Sequence, residues 1–300
     1  PALLSVGKEH LYVWEKQEGI LHENEAAEIL YRISADIHMH GSDIKEGKIE
    51  LIADCDGVLK IRRDALLAVN SLGEMMIASR HGDFPVKKGD KIAGTRIIPL
   101  VIEKTKMDKA EKVAGTKPIF SILPYRSKKV GIITTGSEEQ KGLIKDTFTP
   151  VLKEKLDEFS CQILGQTLPG DERSQITSDI LSFIDQGADM VICSGGMSVD
   201  PDDRTPGAIK DTGAEIVTYG APVLPGAMLL LSYYQNNDKI IPILGLPGCV
   251  MYARRTVFDL ILPRIMADDR ICADEIASYG EGGLCLNCDV CTFPNCGFGK

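Results

Sequence analysis

Two stretches of the chain carry residue types whose spacing could do chemistry. The first is VICSGGMSVDPDDRT, Val191–Thr205. Val191, Ile192 and Cys193 suit the buried end of a strand. Ser194, Gly195 and Gly196 then remove side chains where the backbone must turn, and Asp200, Asp202 and Asp203 precede a helix start at Thr205-Pro206. Small residues that bare backbone N–H groups at a helix start suit an anion, commonly a phosphate. Carboxylates beside such a site call for a divalent cation, because without one they repel the anion. A solvated acidic turn would read the same way, so the stretch alone leaves both readings open. The second is Cys285-x2-Cys288-x2-Cys291-x4-Cys296, where Pro294 and Gly297 turn the chain. Four thiols so close together point to a metal site. A lesser candidate is His38 and His40, which would share one face of a strand. No Cys or carboxylate nearby completes a ligand set, so a solvated or hydrogen-bonded pair is the expectation.

These residues need elements to hold them. Asn24–Ser34 has Ala26, Ile29, Leu30 and Ile33 at helical spacing, within a partly helical segment 1–40. From 41 to 104, short apolar runs alternate with Gly and Asp turns, which predicts a small β-rich domain, a barrel or clip. Residues 105–127 read as a linker or short helix. From 128 to 272 strand and helix patterns alternate, with strands at Lys129–Thr134, Cys161–Gln166 and Asp189–Cys193. Helices are predicted at Leu143–Phe159, Ser174–Gln186, Pro206–Asp211 and Met251–Met266. Gln235-Asn236-Asn237-Asp238 turns between two further strands. This order predicts an α/β three-layer sandwich with a mostly parallel sheet, preceded by the β-rich domain. Ligands on such sheets lie beyond the carboxyl ends of the strands, where the loops at 135–139, 167–172, 194–204 and 245–249 would converge. Residues 280–300 form a Cys-rich tail behind a Gly282-Gly283 joint.

The chain has 300 residues, 44% hydrophobic, with a net charge of −9. That balance argues against nucleic acid or an anionic membrane as partner. The longest apolar run, near Gly226–Ser232, is too short to span a bilayer. The nine cysteines and the lack of a signal-peptide pattern suit a cytoplasmic protein with reduced thiols. The start without Met suggests that further sequence lies upstream.

Five loops, in order, resemble the molybdopterin-binding domain shared by molybdopterin molybdotransferases (with the corresponding gephyrin domain), molybdopterin adenylyltransferases and the competence-damage-inducible family. Thr135-Gly136-Ser137-Glu138 is similar to the Thr-Gly-Asp-Glu loop, with Ser137 in place of Asp. Leu168–Asp171 resembles the loop that presents an acidic residue. Ser194-Gly195-Gly196-Met197-Ser198 through Asp203 resembles the Gly-Gly-x-Ser motif with its later Asp. Pro225-Gly226 matches the start of Pro-Gly-Lys-Pro, with Ala227 and Met228 replacing Lys-Pro. Gly245-Leu246-Pro247-Gly248 matches Gly-Leu-Pro-Gly-Asn-Pro, with Cys249 and Val250 replacing Asn-Pro. The resemblance covers about Lys128 to Asp268, and the β-rich domain before it suits the molybdotransferase layout.

The resemblance implies an enzyme of molybdenum cofactor biosynthesis that assists Mg²⁺-dependent metal insertion into molybdopterin or its adenylylated form. The alternatives are a non-catalytic carrier or redox-responsive regulator, and a nucleotide pyrophosphatase of the competence-damage type. On this reading Gly195, Gly196 and Ser198 hold the pterin phosphate, Asp203 and Asp171 bind Mg²⁺, and Ser137 and Glu138 stand at the same rim. Thr135, Gly136, Ser194, Met197, Pro225, Gly226 and Gly245–Gly248 complete the cofactor-binding set. Asp171 could equally cap the helix that follows. Cys249 is read as a small buried thiol, although its place beside Gly248 would also allow a functional one. The tail cysteines resemble the cluster-binding run of bacterial ferredoxins with a last gap one residue longer; they would hold an iron–sulfur cluster or Zn²⁺. Implied partners are molybdopterin, molybdate, ATP or AMP, and molybdoenzymes or other cofactor-assembly proteins, with self-association as a dimer or trimer.

Overall fold

The computed structural model describes residues 17–136, 148–197 and 204–300. The chain divides into two compact units, Pro1–Gly82 with Val86–Ile122, and Asp83–Pro85 with Leu123–Lys300. Among the described residues no helix is long and apolar enough to cross a membrane.

In the first unit, β1 (Ile20–His22) pairs antiparallel with β8 (Val101–Glu103). Helix α1 (Glu23–Ser34) is capped by His22 and begins one residue before Asn24: the His22 Nδ1 accepts from the Asn24 N–H and Glu25 answers at the His22 N–H. A four-stranded sheet runs β2 (Met39–Gly41), β3 (Lys48–Ala53), β7 (Lys91–Ile97), β5 (Met75–Ser79). A three-stranded sheet joins β6 (Phe84–Val86), β4 (Gly57–Ile61) and β9 (Phe120–Pro124). Helix α2 (Arg63–Asn70) sets Ala65 and Val69 into the core. Helix α3 (Lys104–Ala114) forms within the stretch read as a linker or short helix. It buries Met107, Ala110 and Ala114 in the same core as Ala26, Ala27 and Leu30 of α1. The segments 17–40 and 104–114 therefore belong to the β-rich unit, because its sheets need helices to cover them. His40 bonds Asp54 at 2.6 Å, while His38 lies outside β2, so the pair does not share a strand face.

The second unit is built on six strands: β10 (Lys129–Thr134), β11 (Gln162–Thr167), β12 (Met190–Ser194), β13 (Glu215–Tyr219), β14 (Leu230–Asn236) and β15 (Lys239–Leu246). Their order is β11-β10-β12-β15-β14-β13. The first four run parallel. The hairpin at Asn236–Lys239 reverses the chain, so β14 runs against both of its neighbours, β15 and β13, and the sheet is mixed at that side. Successive residues face opposite layers, as the pleat requires. Ile132, Ile192, Leu231 and Leu244 pack with Leu152 and Leu156 of α4 (Phe148–Asp157) and with Phe258 and Ile261 of α7 (Val257–Met266). Ile133, Val191, Leu230 and Ile243 pack with Ile176, Ile180 and Phe183 of α5 (Arg173–Asp185) and with Ala208 and Ile209 of α6 (Thr205–Asp211). Helices on both faces of one sheet make the three-layer α/β sandwich.

Two predicted boundaries move. The last helix starts at Val257, not Met251: a short 3-10 turn (Gly248–Met251) ends first, and Thr256 then caps α7 by accepting from the Phe258 N–H while Asp259 accepts from the Thr256 N–H. Residues 282–300 do not form an appendage behind a joint. The Leu224 N–H donates to Gly283 O and the Cys285 N–H to Leu224 O, both at 2.8 Å. Phe298 is buried in the core that covers the α4–α7 face, and a short helix α8 (Ala273–Ser278) leads into this segment.

Candidate functional site

Register decides which loops meet. Thr134 at the end of β10 lies beside Ser194 at the end of β12, and Ser194 lies beside Leu246 at the end of β15. On the outer side Ile133 of β10 pairs with Thr167, the last residue of β11. β14 runs the other way, so its first residue, Leu230, pairs with Gly245. The segments that begin at Thr135, Leu168, Gly195 and Pro247, and the one that contains Pro225-Gly226, consequently leave or enter the sheet along one edge.

Hydroxyls bind this edge together. The Thr135 N–H donates to Ser194 O at 2.8 Å, and its hydroxyl lies 3.2 Å from that carbonyl and 3.1 Å from the Thr205 hydroxyl. Thr205 donates to Gly195 O at 2.9 Å. Ser194 donates to Thr134 across the strands, and Gln166 of β11 donates to the same Thr134 hydroxyl. Thr135, Ser194 and Thr205 are all buried. Their donors are used inside the protein, so they hold the loops in place. Met197 and Leu246 are buried as well, the former over Gly245. Among the described residues, the accessible members of the predicted cofactor-binding set are Gly136, Gly195, Gly196, Pro225 and Gly248. Gly195 and Gly196 both take positive φ, +84° and +55°, and a side chain on Gly195 would lie 2.2 Å from Thr135 O. Only glycine closes that turn.

Of the acidic residues predicted here, Asp171 is half-buried in the loop after β11. It is not the helix cap. Glu172 holds the cap position of α5, with no side-chain hydrogen bond to the helix. Asp203, Glu138, Ser137 and Ser198 lie outside the described residues, as do Asp200 and Asp202. Two participants escaped the sequence reading. Thr205 was read only as a helix start, although a buried hydroxyl beside a glycine turn is a natural staple. Tyr219, whose hydroxyl donates to Met197 O at 3.0 Å from β13, leaves no local signal. Burial pushes the Cys193 thiol far above its ordinary range and that of the half-buried Cys249 upward, so neither is set up as a thiolate.

The tail cysteines are free thiols; Cys288 and Cys291 are exposed, and Cys285 and Cys296 are half-buried. The Phe293 N–H, followed by Arg255, lowers the Cys291 pKa. Among the described residues no three His, Cys, Asp or Glu side chains are gathered closely enough to hold a metal ion, these four included. The preassembled single-ion set that their spacing allowed is therefore not formed.

Residues 131–267 match the family model described as "Probable molybdopterin binding domain". The chain is 25% identical over 193 residues to the molybdopterin molybdenumtransferase of Synechococcus elongatus, covering 62% of this chain and 44% of that protein. It is 27% identical over 236 residues to the molybdopterin molybdenumtransferase of Haemophilus influenzae, covering 76% of this chain and 54% of that protein. The chain thus spans about half the length of these curated relatives. A CinA-like protein of Mycolicibacterium gilvum is 35% identical over 79 residues, 26% of this chain and 19% of that protein. The tungsten cofactor synthesizing protein MoaB from Pyrococcus furiosus aligns with 49% of this chain and 99% of its own, at 17% identity and a TM-score of 0.41.

Proposed function

We propose that this chain, whose residues 131–267 carry a molybdopterin-binding domain, binds molybdopterin at the loop edge of the second unit and assists Mg²⁺-dependent metal insertion into it or its adenylylated form. The observation that carries the reading is the register of β10, β12 and β15, which gathers the family-like loops along one edge. Gly195 and Gly196 let backbone approach a terminal phosphate closely, and Ser198 would add a hydroxyl donor. Asp203 and Asp171, as hard oxygen donors, would hold Mg²⁺, which supplies charge neutralisation at phosphate oxygens. Glu138 is a further acidic candidate on this reading. Molybdate and ATP or AMP are the co-substrates of this reading.

The test offers the purified chain adenylylated molybdopterin, molybdate and Mg²⁺. Release of AMP that depends on Mg²⁺ and is abolished in Asp203→Asn supports it. Tight molybdopterin binding without turnover would make the chain a carrier or regulator. The CinA-like match over 79 residues favours a second reading, a nucleotide pyrophosphatase at the same edge. Hydrolysis of ordinary dinucleotides in preference to the pterin nucleotide would establish that instead.

A further inference from the structure

Beside the loop edge, the second unit has a cavity of about 570 Å³, and Pro225 of the predicted cofactor-binding set stands in its wall. The other wall residues come from the segment ahead of α7, Tyr252–Arg255, and from the tail. We propose that this cavity binds a flat aromatic monoanion, an aryl carboxylate or sulfonate, with its rings on the apolar wall and its charge on Arg254. The inference concerns a ligand chemistry different from that of the loop edge and stands without the reading given there.

The walls are held from within the fold. Two hydrogen bonds splice the tail onto the Pro225 segment: the Leu224 N–H donates to Gly283 O and the Cys285 N–H to Leu224 O. The Gly299 N–H closes the tail onto Gly282 O at 2.9 Å, and Phe298 anchors its far end in the core. In the segment ahead of α7, the Ala253 N–H donates to Cys249 O at 2.9 Å. Arg254 ties the two segments together by donating to Asp289 O at 2.7 Å. The cavity is thus formed before a ligand arrives, which keeps the ordering cost of binding small.

The lining sets the chemistry of the occupant. Tyr252, Leu284 and Leu286 all line this cavity, yet they are 79%, 61% and 77% exposed. Apolar side chains exposed singly need no partner, but three around one concavity hold water that a ligand can release. The Tyr252 ring offers a face for an aromatic group, and the volume suits a small organic molecule. Of the two guanidinium groups, Arg255 is committed: it donates to Asp259 at 2.9 Å and lies 5.0 Å from the centre of the Phe293 ring. Arg254 is exposed and gives a hydrogen bond to a backbone oxygen, which neutralises none of its charge and leaves further N–H groups for an anion. The apolar surroundings strengthen such a contact. Asp289 and Cys291, whose pKa is lowered by the Phe293 N–H and Arg255, stand in the same wall. Their negative charge disfavours a second anionic group on the ligand, so a monoanion is preferred to a dianion.

The test titrates the full-length chain with anilinonaphthalene sulfonate, an aromatic monoanion whose fluorescence rises in an apolar site, and with neutral phenylnaphthylamine, which has the same rings without the sulfonate. The expected result is saturable binding of the sulfonate in a one-to-one ratio. Arg254→Gln should weaken the sulfonate about tenfold, the usual worth of a hydrogen bond to a charged group, and leave the neutral dye unchanged. Leu286→Ser, at an exposed position, should weaken both dyes, and Leu67→Ser, an exposed apolar position in the first unit, should change neither. Circular dichroism melts confirm that each variant is folded. Failure of the folded chain to saturate with the sulfonate, equal loss of both dyes in Arg254→Gln, or parent-like binding in Leu286→Ser would overturn the proposal.

Discussion

Gly195 and Gly213 have nearly the same backbone conformation, φ +84° and +85°, but different surroundings. A Cβ on Gly195 meets Thr135 O at 2.2 Å, whereas one on Gly213 meets nothing within 4 Å. Gly213→Ala should cost only the positive-φ penalty, about 1 kcal/mol, and Gly195→Ala about 3 kcal/mol once the clash with backbone is added. Urea denaturation of the two variants checks this; equal losses would mean that the Thr135 contact does not restrain the loop. Asp189 gives a second test at this scale. Burial pushes its pKa up, but Lys239 and the Lys129 N–H at 2.7 Å outweigh that and hold it below the ordinary 3.8. A depressed carboxylate contributes stability above its unfolded value and loses it as pH falls through the folded one. Asp189→Asn should therefore lower the denaturation midpoint at neutral pH, with the gap to the parent protein closing as pH drops below 3.8.

Among the elements, α7 depends most on its first turn. Thr256 caps it, and Asp259 serves the cap while accepting Lys155 from α4 at 2.5 Å and Arg255 at 2.9 Å. Thr256→Ala should cost about 1 kcal/mol, the usual worth of a cap. Asp259→Ala should cost about 3 kcal/mol, because it also strands the largely buried Lys155 ammonium. Thermal melts of both variants, ranked against each other, decide it; a ranking the other way would put the cap ahead of the ion pairs. This element also shows where sequence reading stops. Strands β10 and β12 were legible because a buried parallel strand is a continuous apolar run, and α5 because its apolar stripe repeats at helical spacing. The start of α7 was misplaced although Thr256 and Asp259 stand three apart in plain view, since the apolar residues Val250–Ala253 lie just ahead of Arg254-Arg255 and invite an earlier start. Helix α3 was one of the two readings of its stretch, and the buried stripe at Met107, Ala110 and Ala114 decides for it where the many lysines left a linker open. No local signal announces that Leu224 pairs with Gly283 and Cys285, because that contact exists only once the fold brings distant residues together.

At the scale of the whole molecule, the family-like loops are legible one by one, and the sheet order that gathers them is not. The edge lies in the second unit, and its loops come from β10, β11, β12, β14 and β15. A ligand that binds there engages several strands at once, so it should protect the unit as a body. With molybdopterin present, amide exchange should slow in β10, β12 and β15 together, and protection confined to the loops would argue against a shared edge.

The same register has a consequence for the order of folding. Val130 pairs with Met190, and Val191 with Ile243, partners far apart along the chain. Hairpin β14–β15 closes over a short turn, but the parallel ladder must wait for long loops to close, which is slow. The binding edge cannot precede that ladder. During refolding, competence to bind should emerge with the last protected amides of β10 and β12, well after the hairpin has formed, so that the edge matures only when the sheet is complete.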